Sequence, residues 1–199
     1  LNITPRVEER LAELGYTPEE LQEAVSEHKS GCDGEPSVYV GTYGKYNEGS
    51  LCGLWIDLSS FSDYDEFIDF CNAIHADEED PELMAQDYEA FPRQWYNEGF
   101  MSEEDFDHIQ EYTELCDKYD VDAVDDYMEF ADELDNFEEA YCGEWDSEED
   151  FARHIVNECY NLEKLMGDLS RYFDYEAFGR DLFMWDYNMG ANNHVFRRI

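Results

Sequence analysis

Basic residues are the scarcest charged type in this chain. It has 12 Lys and Arg against 52 Asp and Glu, which gives a formal net charge of −40 over 199 residues. Proteins that bind nucleic acid use cationic side chains to release counterions from phosphates, and this surface would repel a duplex. The charge therefore excludes direct nucleic-acid binding and predicts that the partner is a basic protein.

Long apolar runs are missing as well. No segment has the length and apolarity of a transmembrane helix or a secretory signal peptide, which predicts a cytoplasmic protein with no membrane partner. High charge with few apolar residues would indicate disorder, but 43% of the residues are hydrophobic and 16% are aromatic. Because disordered chains have much lower values, we expect this chain to fold into one to three small domains.

Paired cysteines are also absent. The six cysteines form no CxxC motif and have no histidine at metal-ligand spacing, which predicts reduced thiols. Two of them, Cys71 and Cys116, fall on apolar helix faces, where cysteine acts as a small hydrophobic residue. The others are Cys32, Cys52, Cys142 and Cys159.

Residues 1–36 predict a separate N-terminal helical extension. Helical spacing runs from Arg6 to Leu14 and ends at Gly15, and Thr17 caps a second helix that starts at Pro18. The sequence SGCDGEP then reads as a linker.

Residues 37–98 predict an α+β domain. The segments VYVGTYGKY and SLCGLWIDL alternate with the period of strands around Asn47-Glu48-Gly49, which predicts a β-hairpin. A third strand is expected in LMAQDYEAF. Between them Ser62 is expected to cap a helix. The apolar stripe of that helix consists of Tyr64, Phe67, Ile68, Cys71 and Ile74.

Two further domains complete a predicted α+β fold. Residues 99–136 predict an acidic helical domain, with helices from Ser102 to Asp117 and from Asp122 to Leu134. Residues 137–199 predict a C-terminal α+β domain, with strands in EEAYCGEW and HVFRRI and a helix capped by Ser147. The apolar stripe of that helix consists of Phe151, Ile155, Cys159 and Leu162.

The negative charge is concentrated in the middle of the chain. Residues 57–150 contain 35 Asp and Glu but only Arg93 and Lys118 as basic residues, a net charge of −33. A solvated acidic face is the ordinary explanation of such runs, and halophilic adaptation is another. Like charges one helical turn apart cost about 0.2–0.5 kcal/mol per pair, so the uneven distribution favours a charge directed at a partner.

The acids are also ordered along the predicted helices. In the helix after Ser102, Glu103, Asp107 and Glu111 lie on the face opposite Phe106. Carboxylates four residues apart are separated by a rise of about 6 Å, and 40 charges correspond to about 70 Å of DNA duplex. We therefore predict a protein-binding surface of DNA-like carboxylates. Its members are Asp63, Glu66, Asp69, Glu103, Glu104, Asp107, Glu111, Glu114, Asp117, Asp122, Asp125, Asp126, Glu129, Asp132 and Glu133.

Motifs for metal binding and catalysis are lacking. The stretch DKYDVDAVDDYMEF comes nearest to a calcium loop, but it places Val124 at a ligand position and Asp125 at the required glycine. His108 has no partner Glu-x-x-His motif and is expected to be a surface histidine, and a packing or rim role is expected for His154. There is no P-loop, GxGxxG, GxSxG or Cys–His signature, and a glycosidase-type carboxylate pair is defined only in space. We predict no catalytic residue, metal or cofactor.

Two segments, VYVGTYGKYNEGSLCGLWIDL and RYFDYEAFGRDLF, resemble the ArdA antirestriction family in content, order and separation. The resemblance covers about residues 37–199. It implies an elongated chain of three small α+β domains that forms a homodimer and mimics bent B-form DNA. The implied partner is the methyltransferase core of a type I restriction–modification enzyme, and such inhibitors are carried by mobile elements. Residues 1–36 depart from the family pattern.

The resemblance also implies a dimer contact near residues 172–182, which match the antirestriction motif of the family. A local core is an equally weighted explanation of its aromatic residues, and Arg180 is expected to form ion pairs with its acidic neighbours. The implied interface residues are Tyr172, Phe173, Asp174, Tyr175, Phe178, Arg180 and Asp181.

The sequence thus favours a non-enzymatic DNA mimic that excludes DNA from its target through many distributed carboxylates. An acidic binding module for another basic DNA-binding protein, such as a nucleoid protein, is the main alternative. A divalent-cation buffer is a weaker one.

Overall fold

The computed structural model describes residues 3–28 and 34–199. The chain forms two compact units, Leu1–Glu114 and Leu115–Ile199. It is a mixed α+β protein with 54% helix and two small antiparallel sheets, which confirms the predicted class. The finer division at residues 36, 98 and 136 stays a prediction. Most of the predicted linker, with Cys32, lies outside the described residues.

Ten helices lie within the described ranges, with the boundary between the two units falling inside the longest. No helix in these ranges is long and apolar enough to cross a membrane. The helices are α1 (Pro5–Glu13), α2 (Pro18–His28), α3 (Tyr43–Asn47), α4 (Tyr64–Ile74), α5 (Glu103–Tyr119), α6 (Val121–Met128), α7 (Phe137–Ala140), α8 (Glu148–Cys159), α9 (Leu162–Met166) and α10 (Tyr175–Trp185).

The strands form one three-stranded sheet in each unit. The first sheet has the order β2-β1-β3 and the second has the order β4-β6-β5, with all described pairs antiparallel. The strands are β1 (Ser37–Thr42), β2 (Leu54–Asp57), β3 (Leu83–Glu89), β4 (Tyr141–Glu144), β5 (Tyr187–Met189) and β6 (His194–Arg197).

The predicted hairpin is confirmed in its pairing but not in its connection. Val38 lies opposite Ile56, and the third predicted strand adds to the other edge of β1. Residues 43–46, expected to extend the first strand, instead lie in α3. The hydroxyl of Thr42 accepts a hydrogen bond from the Lys45 amide and so caps a helical turn. This local bond replaces the extended conformation that the alternating pattern predicts.

The cap of helix α4 is Asp63, one residue after the predicted cap Ser62. The carboxylate of Asp63 accepts from the Glu66 amide, and Glu66 in turn accepts from the amide and hydroxyl of Ser62. Phe67, Cys71 and Ile74 of the predicted stripe are buried, and so is Phe70. Tyr64 and Ile68 are half-buried.

The N-terminal helices α1 and α2 belong to the first unit. Thr17 and Glu20 form a reciprocal capping box at the start of α2, as predicted. The side chains of Val7, Leu11 and Leu21 are buried. Helix α2 contacts β2 and α4, and the Tyr16 ring meets Phe70 edge-on at 6.4 Å. Apolar surface on α4 therefore holds the extension in place.

In the second unit, two predicted elements are shorter than expected. Helix α6 ends at Met128 because the Tyr127 carbonyl accepts from the amides of Phe130 and Ala131, which closes the turn. The predicted strand in EEAYCGEW begins only at Tyr141, since the preceding four residues form α7. The predicted final strand is confirmed as β6 at the centre of its sheet.

The predicted stripe of α8 is only partly correct. Phe151 is buried, but Cys159 is exposed, and Ile155 and Leu162 are half-buried. The helix instead buries Ala152 and Val156. It packs against α10, and this neighbour sets the buried face one residue away from the most apolar stripe.

Candidate partner-binding surface

Helix α5 carries the predicted row of carboxylates. Its first turn is fixed by Ser102, whose hydroxyl accepts from the Asp105 amide, while the Asp105 carboxylate accepts from the Ser102 amide. Phe106 and Ile109 are buried. The opposite face therefore points to solvent, and adjacent acids on it rise by about 4–6 Å along the axis. In this row Glu103, Asp107 and Glu114 are exposed and Glu111 is half-buried.

The other predicted carboxylates are exposed too, with one exception discussed below. Two of them also cap α4, so their charge serves both the helix end and the surface. The exposed residues outside the row are Asp63, Glu66, Asp69, Glu104, Asp117, Asp122, Asp125, Glu129, Asp132 and Glu133.

The few cations near these acids are engaged locally. Lys118 pairs with Glu138, and its ammonium lies 5.1 Å from the centre of the Tyr119 ring. Arg93 donates to the Tyr96 carbonyl at 2.6 Å, with its guanidinium 4.8 Å from the centre of the Tyr96 ring. These cations support neighbouring rings and turns, and within the described residues they form no ion pair with the exposed Glu103, Asp107 and Glu114 of α5.

A lysine fills a cluster that would otherwise suit a metal ion. His75, Asp77 and Glu78 each place one ligand atom within 4.8 Å of the others. The Nζ of Lys45 lies 2.9 Å from His75 Nδ1, 2.9 Å from Asp77 Oδ1 and 3.3 Å from Glu78 Oε1. The Lys45 ammonium therefore occupies the position that a metal ion would take. Sequence reasoning missed this cluster, because Lys45 lies 30 residues from His75 along the chain.

The same contacts keep His75 neutral. Its ring is 2% exposed, and Nδ1 accepts from the Lys45 ammonium. Burial, and next the Lys45 charge, lower the pKa of His75 from 6.5 to about 4, against the opposing effects of a backbone hydrogen bond with Val40 and of the Glu78 and Asp77 charges. A protonated ring would be both desolvated and repelled by the ammonium.

We predict that His75 makes the free energy of unfolding depend on pH. The unfolded ring takes up a proton near pH 6.5 and the folded ring only near pH 4, so this contribution is complete above pH 7 and falls as the pH decreases. Relative to His75→Gln, the wild type should lose about 2 kcal/mol between pH 7 and pH 5. Urea unfolding at both pH values measures this difference. Equal pH slopes in the two proteins would contradict the neutral assignment.

The two other histidines singled out in the sequence both lie against tryptophan rings, which agrees with the role expected for His154, whereas His108, expected at the surface, is half-buried. The His108 ring stacks on Trp95 at 5.6 Å, and the His154 ring lies 4.6 Å from Trp145. Neither belongs to the one potential metal cluster found among the described residues.

Asp126 is the exception among the predicted surface carboxylates, and for this residue the prediction is wrong. Its side chain is 1% exposed. The carboxylate accepts from the amides of Asn192 and His194 at 3.0 and 3.2 Å and so fixes the turn before β6. A Cβ at Gly190 would lie 2.2 Å from Asp126 Cγ, so only glycine fits there. An acid that binds backbone amides inside the protein cannot present its charge to a partner.

Replacing Asp126 should therefore affect stability rather than binding. Asp126→Asn replaces one of the two acceptor oxygens with an NH₂ group, which cannot accept a hydrogen bond from the backbone amides. The substitution should lower the free energy of unfolding by about 1–3 kcal/mol. The exposed Asp132→Asn is the matched control, and it should leave stability unchanged or slightly raised. Urea unfolding measures both variants. A similar small effect in the two would show that the buried carboxylate does not hold the turn.

The comparisons with known proteins identify the family. The family model described as Antirestriction protein (ArdA) matches residues 38–196. The chain belongs to the ArdA antirestriction family. A comparison with the curated proteins finds no match. The family match confirms the resemblance seen in the sequence, and it runs from β1 to β6 without α1 and α2.

Membership in the ArdA family fixes the broad role of this protein. Proteins of this family are non-enzymatic inhibitors, which agrees with the prediction that the chain is not an enzyme. The family also implies that a restriction–modification enzyme is the target.

The segment implied to form the ArdA dimer contact is mixed in exposure. Phe173, Tyr175 and Phe178 are half-buried, and the Phe173 ring lies 4.9 Å from Tyr175 and 5.6 Å from Phe178. Tyr172 is 72% exposed. Asp174 accepts from the amide of residue 177 and caps α10. The segment is therefore neither a closed core nor a fully exposed strip.

The ion pairs expected around Arg180 are not formed within residues 3–28 and 34–199. Both Arg180 and Asp181 are exposed, and Asp174 is engaged at the helix cap. The position of Arg180 on α10 directs its side chain to solvent. It thus remains accessible to a partner.

Sequence reasoning missed a group of exposed apolar side chains on both sides of this ArdA segment. Trp185 is 72% exposed, like Tyr172. Residues 151–199 hold seven acidic and six basic residues, so this part of the chain is nearly neutral. The drop in acidity after residue 150 is the signal that could have found this surface. We use the name apolar surface for these exposed side chains of the second unit, which are Leu165, Leu169, Tyr172, Met184 and Trp185.

Proposed function

We propose that this ArdA protein is a DNA mimic that binds the DNA-binding groove of a type I restriction–modification enzyme, at its methyltransferase core, and excludes DNA by competition. The observation that carries the proposal is the set of exposed carboxylates on α5, Glu103, Asp107 and Glu114, on the face opposite the buried Phe106 and Ile109. Helix α4 of the first unit and helix α6 of the second unit each carry further exposed acids. The antirestriction role of the family gives this surface its target.

The geometry of the row suits competition with DNA. Helices hold the backbone positions of the carboxylates at fixed spacings. Binding to a cationic groove therefore costs little backbone conformational entropy. A groove shaped for phosphates attracts any ordered array of negative charge, and long-range attraction to a net charge of −40 speeds the encounter. Many weak contacts share the binding energy, so no single carboxylate is essential.

We propose further that two copies associate through the apolar surface. Exposed apolar side chains mark an interaction site when they form a contiguous patch. The near-neutral charge of residues 151–199 lets two acidic chains approach there with little mutual repulsion. Along the chain, residues 172–181 lie between Leu169 and Met184. The proposed contact consists of Tyr172, Phe173, Asp174, Tyr175, Phe178, Arg180 and Asp181 together with Leu165, Leu169, Met184 and Trp185.

We predict that inhibition falls gradually as carboxylates are removed from the central helices. Purified protein should displace a labelled duplex from a type I methyltransferase at near-stoichiometric amounts, as measured by fluorescence anisotropy at moderate salt. Changing Glu129 alone to Gln should have little effect. Changing Glu103, Asp107, Glu114, Asp125 and Glu129 together to their amides should weaken displacement by about tenfold or more and flatten its salt dependence.

A matched control separates the position of the charges from their number. Changing Glu8, Glu9, Glu13, Glu19 and Glu23 to Gln removes five charges from α1 and α2. This variant should keep most of its inhibition. Equal losses in the two variants would mean that net charge alone acts, and complete loss from one central substitution would indicate a discrete site instead of mimicry.

We predict that the protein sediments as a dimer at micromolar concentration, at twice its chain mass of 23.5 kDa. The double variant Leu169→Gln and Trp185→Gln should shift it to the monomer, because it removes two exposed apolar side chains from the contact. Leu51→Gln, in the first unit, should remain dimeric. A monomeric wild type would contradict the proposed association.

A further inference from the structure

The face of the first sheet that points away from the core carries a half-buried aromatic pair. Tyr39 and Trp55 lie opposite each other in the register of β1 and β2, and they alternate with the buried Val38 and Val40. Their rings meet edge-on at 5.5 Å. Tyr46 and Leu51 border the pair and are 49% and 67% exposed. Together they line an open depression of about 510 Å³.

The Tyr39 ring is held in place by its hydroxyl. The hydroxyl donates to the Leu51 carbonyl at 2.9 Å and accepts from the Gly53 amide at 3.1 Å. A Cβ at Gly53 would lie 2.8 Å from the Tyr39 ring and 2.4 Å from the Val40 carbonyl oxygen, so only glycine lets the loop pass there. Because the polar end of Tyr39 is satisfied, the ring surface is what this side chain offers to a partner.

Carboxylates lie on the border of the same depression. Asp87 of β3 and Glu98 are both exposed, and both contribute to its lining. No basic side chain within the described residues lines it. The depression therefore combines aromatic rings with negative charge, which is the combination that favours a cation.

At other aromatic rings of this chain, the neighbouring cation is a guanidinium group of the chain itself. The guanidinium of Arg93 lies 4.8 Å from the centre of the Tyr96 ring, that of Arg153 lies 4.2 Å from Tyr175, and that of Arg171 lies 5.1 Å from Tyr172. Trp55 offers a larger ring than these tyrosines, and tryptophan is the strongest of the aromatic cation binders.

We propose that this depression binds the guanidinium of an arginine side chain on the target protein. The inference rests on the proposed function, in which the target presents a cationic DNA-binding groove. The Trp55 and Tyr39 rings receive the planar guanidinium, and Asp87 and Glu98 accept hydrogen bonds from its N–H groups. An aromatic anchor of this kind adds a contact that phosphates alone do not make, and aromatic residues and arginines are common at the strongest points of interfaces.

A peptide titration tests the site without the enzyme. The probe is Ac-Gly-Arg-Gly-amide, compared with the same peptide carrying neutral citrulline, and the readout is the indole N–H signal of Trp55 in a ¹H–¹⁵N spectrum of the whole protein. The arginine peptide should shift this signal saturably, and citrulline should bind about threefold more weakly or worse. Equal shifts with the two peptides, or none, would overturn the proposal.

Variants locate the response. The double variant Asp87→Asn and Glu98→Gln keeps both rings and should reduce binding of the arginine peptide by about threefold or more. Trp185→Leu changes an exposed tryptophan in the second unit and should leave the Trp55 response intact. An unchanged affinity in the Asp87 and Glu98 variant would count against the rim carboxylates and so against the site as described.

The same variants separate this inference from the proposed function. In the displacement assay, Trp55→Leu should weaken inhibition by about threefold or more, with folding checked by urea unfolding. If the wild type fails to displace DNA while the peptide binds at Trp55, the proposed function falls and the cation site stands. If the wild type displaces DNA but the peptide leaves Trp55 unaffected, the site falls and the mimicry stands.

Discussion

Mutual repulsion among carboxylates is the constraint on which this structure depends. A net charge of −40 on 199 residues opposes every compact arrangement of the chain. Aromatic clusters oppose that repulsion in both units. In the first, Phe67 packs against Phe61, Phe100 and Phe106 at 5.6–5.7 Å between ring centres. Large rings bury much apolar area per residue, so small cores can hold acidic helices together.

The scarce cations are placed where they serve the fold. Lys45 closes a buried cluster, and Arg93, Lys118 and Arg153 each pair with a neighbouring ring or acid. They stabilise local structure. The outer face of α5 carries the exposed carboxylates of Glu103, Asp107 and Glu114. Charge on the surface and charge in the interior are therefore separate features, and only the first fits a role in competition with DNA.

Local signals predicted the elements that depend on adjacent residues. The capping boxes at Thr17, Ser102 and Ser147 lie at the starts of α2, α5 and α8, because each uses atoms within one helical turn. The predictions failed where a neighbouring element changed the outcome. Alternation predicts a strand through residues 43–46, but Thr42 caps a helical turn there. The apolar pattern also predicts the wrong stripe on α8, because packing against α10 selects its buried face.

The sequence by itself determined the acidity, its concentration between residues 57 and 150, the α+β class and the ArdA family, since composition and motifs carry these directly. Only the tertiary structure decided which acids face solvent. Asp126 looked like its neighbours, yet it binds the amide of Asn192, 66 residues away. Lys45 meets His75 across 30 residues, and Tyr39 meets Trp55 across two strands. Such contacts depend on how distant segments pack, and periodicity along one segment cannot encode them.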